Sequence, residues 1–178
     1  MKISIVIPSN NEAKYVEDLI DYIDTYSNPN NIEEVIIVES FQTKRIIMIA
    51  EKSHAKLYYN QVNDKVTQMD IGAFQAKADV IYFIKPGSIP PIGFDDRILN
   101  YVKEKYEMGC FDFEHSFSDS YFSCIFKTIK AFFLKDINPP KSFYLLSKLY
   151  YQTGGFKRNV SYLELKKQVL SFGKQIHN

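Results

Sequence analysis

An α/β fold, a mostly parallel sheet flanked by helices, is predicted by three features of this sequence. Short β-branched or apolar runs recur at Lys2–Ile7, Val35–Val38, Ala55–Tyr59 and Val80–Ile84. Between them lie amphipathic stretches with apolar residues three and four apart, as in Val16, Leu19, Ile20 and Ile23. Such alternation builds a parallel sheet with helices on both faces. The first turn, Pro8-Ser9-Asn10-Asn11-Glu12, sets polar residues between a buried strand and a helix N-terminus. That order makes an anion or nucleotide site at the edge of a parallel sheet.

Taken in order, the first strand covers Lys2–Ile7 and is ended by Pro8. A helix follows over Ala13–Tyr26, with Ser9, Asn10 and Asn11 placed to cap it. Asn28-Pro29-Asn30-Asn31 is a turn, and Val35–Val38 a continuous apolar strand. A helix over Thr43–Lys52 carries Ile46, Ile47, Ile49 and Ala50. After the strand at Ala55–Tyr59, Asn63 or Asp64 caps a helix reaching Ala78, and Val80–Ile84 is the fourth strand. A Pro- and Gly-rich loop, Pro86–Gly93, leads to a helix over Phe94–Tyr106 with Ile98, Leu99 and Val102 inward. The second half reads as a strand at Cys110–Phe117 and an apolar helix at Tyr121–Phe133, broken by Asn138-Pro139-Pro140. A strand at Ser142–Leu146, a short helix, a Gly154-Gly155-Phe156 turn and a last helix at Tyr162–Phe172 follow. No repeat or linker interrupts the pattern, so a single domain over residues 1–178 is expected.

A chain of 178 residues can bury one sizeable core. Its net charge of +1 points to no nucleic-acid partner. Cys110 and Cys124 have no metal or CxxC spacing, and free thiols in a reducing compartment are the simplest reading. The start, interrupted by Pro8, is not read as a signal peptide, and no apolar run is long enough to span a bilayer. His54, His115 and His177 lie far apart, without ligand spacing. The 14 Phe and 13 Tyr imply either an aromatic core or an exposed apolar face. The amphipathic stretch Phe117–Lys135 fits core packing, with contact at a membrane surface as the lesser alternative.

The opening MKISIVIPSNNEA resembles the start of family 2 glycosyltransferases, which read like "ISIIIPTLNEA". Residues Gln68–Phe94, QMDIGAFQAKADVIYFIKPGSIPPIGF, align without a gap to "QMNAGAxxAxGDILLFLHADTRLPPGF" of a small bacterial branch of that family. Gln68, Met69, Gly72, Ala73, Ala76, Asp79, Phe83, Pro91, Gly93 and Phe94 match, and Gly154-Gly155-Phe156 matches the family's "GGF". The resemblance implies the GT-A fold and transfer of a sugar from a nucleotide-diphosphate sugar to a hydroxyl acceptor. It also implies a cytoplasmic protein, at most peripheral to the inner membrane face.

Carried over position by position, the resemblance puts nucleotide binding on Pro8, Ser9, Asn11, Glu12 and Glu39, and Lys65 and Lys85 are added to that set as cations that could contact phosphate, against the alternative of solvent-facing lysines. Glu39 stands for the aspartate of the family's "VVDGGSTDGT", one methylene longer, and Phe41 replaces a glycine there, which would narrow the pocket. The family's "HAD" falls on Lys85-Pro86-Gly87, so the aspartate that would help hold a divalent metal (Mn or Mg) is missing. Lys85 could offset diphosphate charge as a point cation, or be a solvated loop lysine. The family's "GDQG" aligns with Pro139-Pro140-Lys141-Ser142, and its "EDVDL" with Ser161–Leu165. Glu164 is thus the motif-aligned candidate for the catalytic base, against the alternative of an ordinary first-turn helix acid. Asp95, Asp96 and Asp119 are further carboxylates within reach of a rearranged backbone. Loss of metal, acceptor and base motifs together motivates the alternative of an inactive relative acting as a binding or assembly module, with a protein partner or as a homodimer.

Overall fold

The computed structural model describes residues 1–61, 63–111 and 141–156. Its sheet has the order β3-β2-β1-β4-β6-β5, built from β1 (Ile3–Ser9), β2 (Ile32–Glu39), β3 (Lys56–Tyr59), β4 (Val80–Ile84), β5 (Met108–Phe111) and β6 (Ser142–Leu146). β1 pairs in parallel with β2 and β4, and β2 with β3, while β6 runs antiparallel to both β4 and β5. The helices are α1 (Ala13–Tyr26), α2 (Lys44–Ser53), α3 (Lys65–Gln75), α4 (Phe94–Lys103) and α5 (Ser147–Thr153).

Alternation along the strands divides the core between the two faces. Ile3, Ile5 and Ile7 pack with Val16, Leu19, Ile20 and Ile23 of α1, Ile46 and Ile49 of α2, and Phe94 and Ile98 of α4. Val6, Ile36, Val38, Phe83 and Phe143 face the other way, against Met69 and Ala73 of α3 and Tyr150 of α5. The aromatic enrichment serves both alternatives. Tyr82, Phe83, Phe94 and Phe143 are among the largest fully buried side chains, while Tyr15, Phe41, Phe74 and Tyr151 are exposed.

The elements differ from the sequence expectation where side chains take over backbone bonding. β1 continues through Pro8 to Ser9 because its pairing with β4 ends at Val6–Phe83, whereas pairing with β2 runs on to Ser9–Glu39. Pro8 therefore lacks its N–H where β1 has only one bonded neighbour, a position proline tolerates. β2 begins three residues earlier than its apolar run because Glu34 is accommodated inside. Glu34 accepts hydrogen bonds from Ser4 Oγ (2.9 Å) and Lys77 N–H (2.7 Å) and pairs with Lys56. The same cluster ends α3 at Gln75 instead of Ala78, since the amides of Lys77 and Ala78 bond to Glu34 and Ser4. α4 stops at Lys103, with Lys105 left-handed at φ 70°. β5 starts at Met108, and the expected extension of that strand to Phe117 lies outside the described residues.

Thr43 caps α2 and Asp64, rather than Asn63, caps α3 through its side chain. Ser9, Asn10 and Asn11 do not cap α1; its N-cap is Glu12, with no side-chain cap bond. Cys110 is disulfide-bonded, which overturns the expectation of free thiols and with it that argument for a reducing compartment. His54 is the left-handed C-cap of α2. Among the described residues, no helix is long and apolar enough to cross a membrane. The expected helices at Tyr121–Phe133 and Tyr162–Phe172 lie outside the described residues.

Two predictions follow from the packing. A Cβ on Gly72 would lie 2.2 Å from Cγ1 of the fully buried Val6. In Gly72→Ala, overpacking of about 1–3 kcal/mol outweighs a helix-propensity gain of about 1 kcal/mol, so the urea midpoint falls. Burial raises the Glu34 carboxyl pKa, but the bonds from Lys56, Lys77 and Ser4 outweigh it and hold the group below its ordinary value of 4.5. A lowered folded-state pKa gives stability that is present above the ordinary value and lost as pH falls through the folded one. Urea unfolding followed from pH 7 to pH 3 should show a smaller loss for Glu34→Gln than for wild type across the acid range.

Candidate functional site

The strand order reverses direction between β1 and β4, and the C-terminal ends of β1, β2 and β4 meet there. Ligands of open α/β sheets bind in the crevice at such a switch point. Here β1 and β4 part after Val6–Phe83 and leave a shallow cleft lined by Pro8, Met69, Phe83, Ile84, Lys85, Lys141 and Phe143.

Beside the cleft, the Glu39 carboxylate is buried under a ring of donors. Its Oε1 accepts from the backbone N–H groups of Asn11 (2.8 Å), Ser40 (2.8 Å) and Phe41 (3.1 Å). Its Oε2 accepts from Ser9 Oγ at 2.7 Å. The reach of a glutamate lets one carboxylate tie the β1–α1 loop to the β2–α2 loop. Asn11 meets it in the left-handed conformation, φ 57°, which asparagine tolerates better than most residues. Gln68, fully buried on α3, adds a second tie by donating from Nε2 to Ser9 O (2.6 Å) and Ser40 Oγ (2.9 Å). The Phe41 ring is 52% exposed and lies at the surface of this edge instead of filling it.

The charged groups gather on the β4 side. Lys65 Nζ, at the start of α3, lies 3.9 Å from Glu12 Oε2, and Glu12 also accepts from Asn10 N–H at 3.3 Å. Asn10 Nδ2 donates to Asn63 Oδ1 at 2.7 Å. Lys85 follows β4 and is half-buried, its N–H bonded to Lys141 O at 3.1 Å. Burial lowers its ammonium pKa, the Lys65 charge pushes the same way, and Glu12 opposes both. Gly87, left-handed at φ 77°, turns the chain beside the Tyr15 ring.

The structure thus brings together Pro8, Ser9, Asn11, Glu12, Glu39, Lys65 and Lys85 at one edge. Glu164 and Asp119 lie outside the described residues. Asp95 and Asp96 do not reach the edge. They accept from Asn31 Nδ2, and Asp95 also from Asn28 N–H, fastening the turn before β2 at the opposite end of the sheet. A second groove, with Glu17, Asp21 and Asp24, lies between α1 and α2, away from the crevice. Sequence reasoning passed over Gln68, whose signal was a polar residue on the buried face of an amphipathic helix, and Lys141, whose place depends on β6 pairing with β4. It also missed Asp70 of α3, whose Oδ1 accepts from Tyr150 Oη (2.9 Å) and from Phe156 N–H (3.0 Å), holding the Gly154-Gly155-Phe156 turn against that helix.

The residues at the end of β4 do not suit a divalent cation. Mg²⁺ and Mn²⁺ take oxygen ligands, whereas Lys85 offers an ammonium and Gly87 no side chain. Among the described residues, no group of three His, Cys, Asp or Glu side chains converges for a metal ion.

Comparison with known proteins places the chain in a family. The curated Poly(ribitol-phosphate) beta-N-acetylglucosaminyltransferase TarS of Staphylococcus aureus is 31% identical over 70 residues, 39% of this chain and 11% of TarS. The structure of S. aureus TarS 1-349 in complex with UDP superposes with a TM-score of 0.64 at 16% identity, covering 86% of this chain and 49% of that one. Mannosyltransferase PcManGT from Pyrobaculum calidifontis, in complex with GDP-Man and Mn2+, gives 0.64 at 18% identity, over 89% and 48%. Glucosyl-3-phosphoglycerate synthase from Mycobacterium tuberculosis, with Mn2+, UDP and glucosyl-3-phosphoglycerate, gives 0.58 at 17% identity, over 83% and 57%. The chain therefore spans about half the length of these solved structures and shares their GT-A fold. The sequence profile of Glycosyl transferase family 2 matches residues 4–157, and the chain belongs to that family.

Proposed function

We propose that this domain binds a nucleotide-diphosphate sugar at the β1–β4 crevice and transfers the sugar to a hydroxyl acceptor. The observation that carries the reading is the polar, partly cationic edge at the switch point of a family 2 fold. Structural neighbours of that fold hold UDP or GDP-Man. In the reaction the acceptor oxygen bonds to the anomeric carbon as the bond from that carbon to the phosphate oxygen breaks. The bonding pair leaves with the nucleoside diphosphate, and the hydroxyl proton passes to a carboxylate base. Pro8, Ser9, Asn11 and Glu12 supply the nucleotide side of the crevice. Glu39 positions it through the two loops it ties. Glu164 is the proposed base.

Thermal unfolding with UDP, GDP, UDP-GlcNAc and GDP-Man tests the binding half. A ligand at 100 times its Kd should stabilise the fold by about 2.7 kcal/mol, read as a rise in Tm, and absence of a rise with the whole panel would end the reading. Glu164→Gln should abolish transfer while leaving the Tm rise intact. Glu39→Gln replaces an acceptor-only carboxylate by an amide, so one of its bonds is lost. The expected cost is about 1–3 kcal/mol of stability, with a smaller nucleotide-induced Tm rise, measured by urea unfolding and thermal shift.

The replacement of the family's metal motif by Lys85-Pro86-Gly87 favours a second reading, a catalytically silent domain serving as a binding or assembly module. That reading expects no transfer from any bound nucleotide sugar and a homodimer or a partner complex. A monomer by light scattering that turns over a sugar nucleotide would remove it.

A further inference from the structure

Resting on the reading of a nucleotide-diphosphate donor, we propose that this chain seats the diphosphate on Lys65, Lys85 and Lys141, and that these ammonium groups take the place of a divalent cation. The cleft where β1 and β4 part is lined by Lys85 and Lys141, whose backbones are bonded to each other at 3.1 Å. Lys65 Nζ lies 3.9 Å from Glu12 Oε2, and the charges of Lys65 and Glu12 both act on the half-buried Lys85 ammonium, in opposite directions. Holding like charges together is unfavourable, and an anion placed among them relieves it. The neighbouring Glu39 carboxylate does not serve this purpose, because its oxygens are engaged by Ser9, Asn11, Ser40 and Phe41.

The chemistry of the leaving group sets the same requirement. As the anomeric bond breaks, the nucleoside diphosphate gains negative charge that needs a cation nearby. A metal meets it with carboxylate ligands; among the described residues no such ligand set converges, and the cleft carries Lys85 and Lys141. Lysine acts on phosphate as a point charge and needs no fixed coordination geometry.

The experiment is calorimetric titration of the full chain with UDP, GDP and inorganic pyrophosphate, each in EDTA and in Mn²⁺, for wild type, Lys85→Met, Lys65→Met and Lys85→Arg. Binding in EDTA is expected, with a Kd that Mn²⁺ leaves within about twofold. Loss of a charge-assisted contact in Lys85→Met or Lys65→Met should weaken it about tenfold or more. Lys85→Arg, which keeps the charge, should retain most of the affinity, and melting curves check that each variant folds. Nucleotide binding that requires Mn²⁺, or binding in EDTA unchanged by both methionine variants, would overturn the proposal and leave the donor reading standing. No binding of either nucleotide in either buffer would overturn both.

Discussion

A buried anion persists only where donors surround it, and at the C-terminal edge of this sheet the anion is Glu39. Three backbone N–H groups and one hydroxyl, contributed by two loops, converge on its carboxylate. The left-handed Asn11 and the close approach of Ser40 to Ser9 follow from that requirement. Without the carboxylate the amides of Asn11, Ser40 and Phe41 would lose the acceptor they share. The loops are therefore shaped before any ligand arrives, so little ordering cost remains to be met on binding.

Electrostatics separates this chain from what its fold relatives record. Two of the solved neighbours are complexes that contain both Mn2+ and a nucleotide, whereas here the end of β4 carries a lysine and a glycine. The exchange leaves the β4 strand intact, because both positions lie beyond its last residue, Ile84, although the left-handed Gly87, φ 77°, favours glycine there. Scaffold positions are held by packing: Gly72 by the proximity of Val6, Phe83 and Phe94 by aromatic stacking in the two cores. The charged edge is free of those constraints, and chemistry can diverge there while the architecture stays.

Legibility of the sequence followed the same division. β4 and β6 stand in the structure with the bounds that their apolar runs gave, because each run is flanked by polar or turn-forming residues. α1 is equally plain from the spacing of Val16, Leu19, Ile20 and Ile23. Boundaries shifted where a side chain supplied the hydrogen bonds, as Glu34 and Ser4 do for the end of α3, and no local pattern reports a partner 43 residues away. Of the candidate site, the residues next to strand ends were readable, because a parallel sheet collects such ends at one edge. Gln68, Lys141 and Asp70 were not, since their roles depend on tertiary pairing.

α3 touches every part of this edge. Its first residue faces Glu12, Gln68 holds Ser9 and Ser40, Asp70 holds the Gly154-Gly155-Phe156 turn, and Gly72 lies against β1. At about 1.5 Å of rise per residue, Lys65 and Asp70 are about 8 Å apart along one stiff rod. A shift of the glycine turn would therefore reach the charged groups as a displacement of the whole helix, with no flexible joint between to absorb it. The two sides of the crevice share a single keel.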